Sequence, residues 1–307
     1  MKKHSFNQLI VYLILFGVAL LPAIGSALDL MIEPRFQAGI MDYEFEQKPI
    51  SINYGEFTDT DHGFKIVGVM PFVGGGVTLF SNRFFFDLYV QKAFSGSDSA
   101  TNPLEYEEFD KELGIPVLNT IINSDFDREE FSVSVGYAVG RQWALFGGYR
   151  IAKTSFDNNI AFSEDGAVDN TPVNIAVRGN IDSNFKQDGY FLGSAYAFNI
   201  TEHSVVTLNT ALAVLDGEFD SRGTLLLSAS IDGEPVEGFE PEEAGYDFDG
   251  NTIGLNLGVA LKGRIVEKLG YTLGVNGYSY DFDAKEKDVV DLSESVLRFS
   301  AGLSYQF

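Results

Sequence analysis

Asp59, Thr60, Asp61 and His62 stand together early in the chain, and a carboxylate beside an imidazole can activate a water molecule for attack on a carbonyl. The rest of the chain gives that pairing little support. It has three histidines, of which His4 lies in an apolar leader and His203 beside a short turn, and no cysteine. Serine–histidine hydrolysis and thiol chemistry therefore lack their partners. No Gly-x-Ser-x-Gly or His-Glu-x-x-His pattern is present. An acidic patch with one histidine reads first as solvated surface. Carboxylates also crowd two other stretches: Glu105, Glu107, Glu108, Asp110 and Glu112, and then Glu234, Glu237, Glu240, Glu242, Glu243, Asp247 and Asp249. Of these, Glu240, Glu242, Glu243, Asp247 and Asp249 are candidate oxygen ligands for calcium or magnesium, although none follows the spacing of an EF-hand loop. No cofactor motif stands out, and the expectation is a protein without one.

The elements that must carry these residues have a period of two. At the C-terminus Leu297, Phe299, Ala301, Leu303, Tyr305 and Phe307 alternate with Arg298, Ser300, Gly302, Ser304 and Gln306, which is the pattern of a strand with one apolar face. Phe131, Val133, Val135, Tyr137 and Val139 alternate in the same way with Ser132, Ser134, Gly136, Ala138 and Gly140. So do Ile253, Leu255, Leu257, Val259 and Leu261 with Gly254, Asn256, Gly258, Ala260 and Lys262. Weaker members lie near residues 35–46, 64–80, 83–94, 143–155, 187–199, 205–216 and 271–282, giving about ten strands. Pro71 and Gly74-Gly75-Gly76 interrupt the second of these, and the expectation there is a bulge or bend.

Residues 1–27 have the charged start, apolar run and small-residue end of a secretory signal peptide, so the mature chain is expected to span 28–307. Loss of Lys2 and Lys3 takes the formal net charge from −23 to −25, a balance that repels nucleic acid. The chain is 45% hydrophobic, yet beyond the leader no long apolar run occurs. The apolar residues are dispersed at every second position, so any membrane crossing is made by strands.

Short turns are expected at Ser81-Asn82, Arg141-Gln142, Thr201-Glu202 and Glu267-Lys268, and longer connections near 47–63, 95–128, 156–186, 217–250 and 283–292. Alternating apolar residues at 173–181 and 224–231 are expected to extend strands beyond the membrane; if they cross it, the count rises to twelve. Trp143, Tyr271, Phe198 and Tyr305 fall near the short turns and Phe94, Phe131, Tyr190 and Phe282 near the long connections, as two aromatic girdles would.

The leader, the loop asymmetry and the terminal segment, with Phe299, Leu303, Tyr305 and the final Phe307, resemble those of Gram-negative outer-membrane β-barrels. In that family the last strand is recognised during assembly. The resemblance covers nearly the whole chain and implies an all-β fold: a transmembrane, antiparallel, up-and-down β-barrel. It also implies an integral outer-membrane location with both termini periplasmic, contact with lipid and lipopolysaccharide, and handling by the barrel-assembly machinery. Divalent cations at the acidic loops would bridge to lipopolysaccharide phosphates.

Charges on a lipid-facing wall are costly, so Arg35, Asp87, Arg150, Lys262 and Arg298 are candidate lumen-lining residues, with Asp87 and Arg150 the preferred pair. A small-residue lumen and the shortage of catalytic residues favour a non-enzymatic barrel: a narrow passive channel, or a surface protein that works through its loops. In size the chain is similar to the ten-stranded omptin proteases, which makes an omptin-like protease using Asp59, Asp61 and His62 the alternative. However, the Asp-x-His motif of omptins is absent. An adhesin is a further alternative.

Overall fold

The computed structural model describes residues 30–47, 50–54, 57–61, 65–104, 118–168, 171–236, 238–285 and 291–307. Residues 1–29, His62 and the acidic residues Glu105, Glu107, Glu108, Asp110, Glu112 and Glu237 lie outside them. Among the described residues thirteen strands occur in chain order. They are β1 (Leu30–Gln47), β2 (Ile50–Tyr54), β3 (Phe57–Asp61), β4 (Lys65–Ser81), β5 (Phe84–Leu104), β6 (Leu118–Ala138), β7 (Trp143–Val168), β8 (Thr171–Thr201), β9 (Ser204–Ile231), β10 (Glu234–Val236), β11 (Glu242–Arg264), β12 (Leu269–Ala284) and β13 (Asp291–Tyr305).

Ten of them form a ring in the order β1-β4-β5-β6-β7-β8-β9-β11-β12-β13, closed by the pairing of β13 with β1. Every neighbouring pair is antiparallel. Closure satisfies the backbone of each wall strand and leaves no open edge, which is the requirement for a sheet that crosses hydrocarbon. β2 and β3 form a separate hairpin, and β10 pairs only with the end of β9.

An apolar band about nine residues tall runs around the outside, the height a barrel strand needs to cross a bilayer. Phe36 and Ile40 of β1, Tyr190 and Leu192 of β8, Leu212 and Val214 of β9, Ile253 and Leu257 of β11, and Leu297, Phe299 and Leu303 of β13 all face outward within it. Trp143, Phe198, Tyr305, Phe94 and Tyr190 are also exposed on this surface. Phe282 departs from the expected girdle: it is 3% exposed and packs inside the barrel, its ring lying over the backbone of Gly217 and Gly250, where any Cβ would collide with it.

The wall does not end at the band. Strands continue through most of the segments expected as long connections: β5 to Leu104, β6 from Leu118, β7 to Val168, β8 from Thr171, β9 to Ile231 and β11 from Glu242. The 31 residues of β8 reach about 100 Å at the usual strand rise, several times the hydrocarbon thickness. Residues 173–181 and 224–231 belong to this extension, paired with each other, and the ring holds ten strands. The connections at the other end are short, at 82–83, 139–142, 202–203 and 265–268.

β4 shows no register shift against β1, so the expected bulge at Pro71 and Gly74–Gly76 is absent. The bulge sits in β5, between Ala93 and Gly96. The ladder between β4 and β5 stops at Phe72, and the missing N–H of Pro71 falls just beyond it. The glycines provide space: a Cβ on Gly74 would strike the Tyr89 hydroxyl, and one on Gly76 would crowd the Arg35 guanidinium.

Candidate functional site in the barrel lumen

Inside the ring the side chains form layers. At the short-turn end a vestibule of about 800 Å³ is lined by Glu33, Thr207, Lys262, Thr272 and Ser300, with Glu202 and Lys268 at its mouth. Arg35, Gln37, Asp87 and Asn209 line both the vestibule and a smaller cavity of about 270 Å³ deeper in the barrel. Arg150, Arg298 and Glu130 line that deeper cavity.

The structure therefore places all five candidate lumen residues along one interior surface, but it does not pair Asp87 with Arg150. Arg35 holds Asp87 through two parallel bonds, Nη1 to Oδ1 at 2.5 Å and Nη2 to Oδ2 at 2.8 Å. Thr78 Oγ1 accepts from Arg35 at 2.7 Å and donates to Asp87 at 2.6 Å. Strand order does not distinguish the two, since a single strand separates each arginine from Asp87, β4 for Arg35 and β6 for Arg150. What joins Arg35 to Asp87 is Thr78 on the intervening β4, bonded to both. Arg150 instead donates to Glu130 on the adjoining β6 at 2.9 Å, and to Tyr280 across the lumen on β12. Lys262 makes no ion pair among the described residues and faces the wet vestibule.

Arg298 on β13 donates to Gln91 on β5 at 2.5 Å and to the Tyr278 hydroxyl at 2.9 Å. Tyr278 is shared, its ring centroid lying 4.6 Å from Arg150 Cζ and 5.5 Å from Arg298 Cζ. Two cations against one aromatic ring gain attraction from its negative face, which offsets part of their burial.

Next, beyond the apolar band, Arg128 and Glu294 form an ion pair with side chains 1% and 0% exposed. Thr154 accepts from Arg128 at 2.7 Å, and Tyr43 donates to Glu294 at 2.9 Å. Burial is the largest single influence on Arg128 and would lower its pKa, but Glu294, Tyr43 and Glu130 together outweigh it and the guanidinium is raised above its ordinary value. Burial, reinforced by Glu294, also pushes the Tyr43 hydroxyl well above the usual phenol range and keeps it a donor.

The last layer is aromatic. Phe45, Phe126, Phe156, Phe185, Phe219, Phe248 and Phe282 are all buried in one cluster. Phe45 of β1 contacts Phe185 of β8 at a centroid distance of 5.5 Å, and β8 is the strand directly opposite β1 in the ten-membered ring. Phe219 and Phe248 stack at 5.2 Å beside them. Rings from opposite walls thus meet at this level of the lumen.

Reading from the alternation missed Glu130, Arg128 and Glu294 as lumen residues. Glu130 and Arg128 were visible in principle, since they carry the inward phase of Ser132 and Ser134 further up the strand. Tyr89, Tyr278 and Tyr280 gave no signal, because an inward tyrosine and a girdle tyrosine look alike in sequence.

Phe299, Leu303, Tyr305 and Phe307 stand on the outer face, with the Tyr305 and Phe307 rings 4.8 Å apart. Asp59 and Asp61 belong to the β2–β3 hairpin, opposite Ile52 and Ile50. Glu240, Glu242, Glu243, Asp247 and Asp249 are exposed, with Asp247 set across from Asp220 and Asp249 from Glu218. Among the described residues no group of three or more His, Cys, Asp or Glu is arranged to hold a metal ion.

Comparison with solved structures bears on the architecture. The outer membrane protease OmpT from Escherichia coli is similar with a TM-score of 0.59 at 8% identity, over 90% of this chain and 97% of that one. The fold is that of the outer-membrane β-barrels. Other outer-membrane barrels are less similar. The translocator domain of the autotransporter NalP from Neisseria meningitidis gives a TM-score of 0.32 at 11% identity, over 98% of each chain. A Pseudomonas aeruginosa FadL homologue gives 0.30 at 9%, over 89% of this chain and 90% of that one. No family model and no curated protein matches the sequence. A shared architecture does not fix an activity, which has to be argued from the lumen and the extended wall.

Proposed function

We propose that this chain is an integral outer-membrane barrel with a sealed lumen, a non-enzymatic protein that acts at the cell surface through its extended strands. The observation that carries the reading is the contact of Phe45 with Phe185 across the full width of the ring. It favours the surface protein over the passive channel. The protease reading gains no support, since its proposed base, His62, lies outside the described residues.

In this reading the short turns and both termini face the periplasm, and residues 1–27 are a leader removed on export. The extended end, with its outward Asp216, Glu218, Asp247 and Asp249, faces the medium. Those carboxylates meet lipopolysaccharide phosphates through divalent cations, and the outward aromatic residues of β13 engage the assembly machinery.

The test is single-channel recording on the refolded barrel in planar bilayers. Wild type is expected to be silent, and the triple variant Phe45→Ala, Phe185→Ala, Phe219→Ala to conduct. Reproducible openings in wild type would overturn the sealed-lumen reading. Orientation is read separately by labelling whole cells: a tag at Asp232-Gly233 is expected to be accessible and one at Glu202-His203 protected.

A further inference from the structure

The deeper cavity has a charge imbalance. Arg35, Arg150 and Arg298 line it against Asp87 and Glu130 only. Arg35 and Asp87 satisfy each other in a bidentate pair, which leaves Arg150 and Arg298 to share one carboxylate. Glu130 bonds Arg150, and Arg298 makes no ion pair among the described residues although it is 7% exposed. The Nε atoms of Arg298 and Arg150 are buried without a hydrogen-bond partner, and so is Asn209 Oδ1.

A buried guanidinium without its own counter-charge is unfavourable, and the missing partner is defined by the group itself. The planar fork of arginine matches carboxylate or phosphate oxygens, and cations desolvated together in a cavity attract an anion more strongly than exposed ones. The remaining wall fits the rest of such a molecule. Asn256 and Asn276 offer amides, while Phe146 and Phe191, with ring centroids 6.3 Å apart, offer an apolar side. The cavity adjoins the vestibule, whose Lys262 adds a positive charge on the way in. On the other side the Arg128–Glu294 pair and the aromatic cluster close the path.

We infer that the 270 Å³ cavity is a binding site for a small oxyanion, held by Arg298 and Arg150 and admitted only from the short-turn end. The volume lies just below that of sites for drug-sized ligands, which suits a single carboxylate or phosphate on a compact body. The site is independent of which face of the membrane the short turns occupy, and of what the extended strands bind.

The experiment is isothermal titration of the full-length barrel in detergent micelles with two probes, benzoate and inorganic phosphate. Saturable binding of at least one is expected, and which one binds distinguishes an aromatic carboxylate from a phosphate source. Arg298→Gln is expected to weaken that binding at least tenfold. Asn256→Phe, which fills the cavity without changing its charge, is expected to abolish it, and it decides the matter should Arg298→Gln fail to fold. Lys65→Ala, outside the lumen, should leave affinity unchanged. Absence of saturable binding for both probes overturns the proposal, as does binding that survives the filled cavity.

Discussion

Along several wall strands, β1, β9, β11 and β13 among them, the same alternation is used twice, with opposite sense. In the band, β13 turns Leu297, Phe299 and Leu303 outward and Arg298 and Ser300 inward. A few residues earlier on the same strand Val296 and Leu292 are buried inside, while Ser295 faces out. β1 does the same, with Phe36 and Ile40 outside in the band and Met41, Tyr43 and Phe45 inside beyond it. β9 moves from outward Leu212 and Val214 to inward Leu215 and Phe219, and β11 from outward Ile253 to inward Phe248. The backbone is continuous across the change. What differs is the medium: hydrocarbon outside the band leaves polar groups only the interior, whereas water outside the extension returns the apolar groups to a core. One barrel is thus a membrane protein in its lower part and a small aromatic-cored soluble barrel in its upper part.

The strongest way to break the contrast is at the junction of the two regimes. Glu294→Ala leaves Arg128 buried and unpaired, and an expected loss of about 3–5 kcal/mol would show in denaturant unfolding of the refolded barrel. In the upper core, Phe219→Ala removes a ring that touches Phe45, Phe185 and Phe248, at a cost of about 3–5 kcal/mol for a buried aromatic truncation. This variant retains a barrel that inserts into bilayers, since the band is untouched.

Leu257→Arg tests the lower half, because a charge on the lipid face costs about 2–4 kcal/mol at the midplane. It is expected to lower the yield of folded barrel in lipid vesicles. The same change at Asp249, outward on the same strand but beyond the band, should have little effect on that yield. The smallest effect is expected for Asp249→Asn, within about 0.5 kcal/mol, as for ordinary surface substitutions. A large loss there would mean that the upper exterior is not simply hydrated.

The reversal also accounts for where reading the chain succeeded. Within the band the apolar residues keep one phase, and the strands around residues 131–139, 253–261 and 297–307, the short turns and the ring of ten follow from it. Beyond the band the phase shifts by one residue, from outward Phe131 to inward Phe126, for example. A period-two pattern that changes phase looks like a strand that has stopped, so apart from 173–181 and 224–231, whose alternation does announce extended strands, the extension reads as loops. Among the site residues, inward placement of Arg35, Arg150 and Arg298 was legible because lipid excludes charge. Their partners were not.

The sequence by itself determined the class of fold, since alternation without any long apolar run after residue 27 leaves strands as the only way across a bilayer, and strands in hydrocarbon must close. It also determined which face of each membrane segment meets lipid. Only the tertiary structure decided that Asp87 belongs to Arg35, that Arg298 lacks a carboxylate of its own, and that Phe45 meets Phe185 from the opposite wall. Those contacts join residues far apart in the chain, and they depend on strand order and on the level each side chain reaches in the closed ring, neither of which is a property of local alternation.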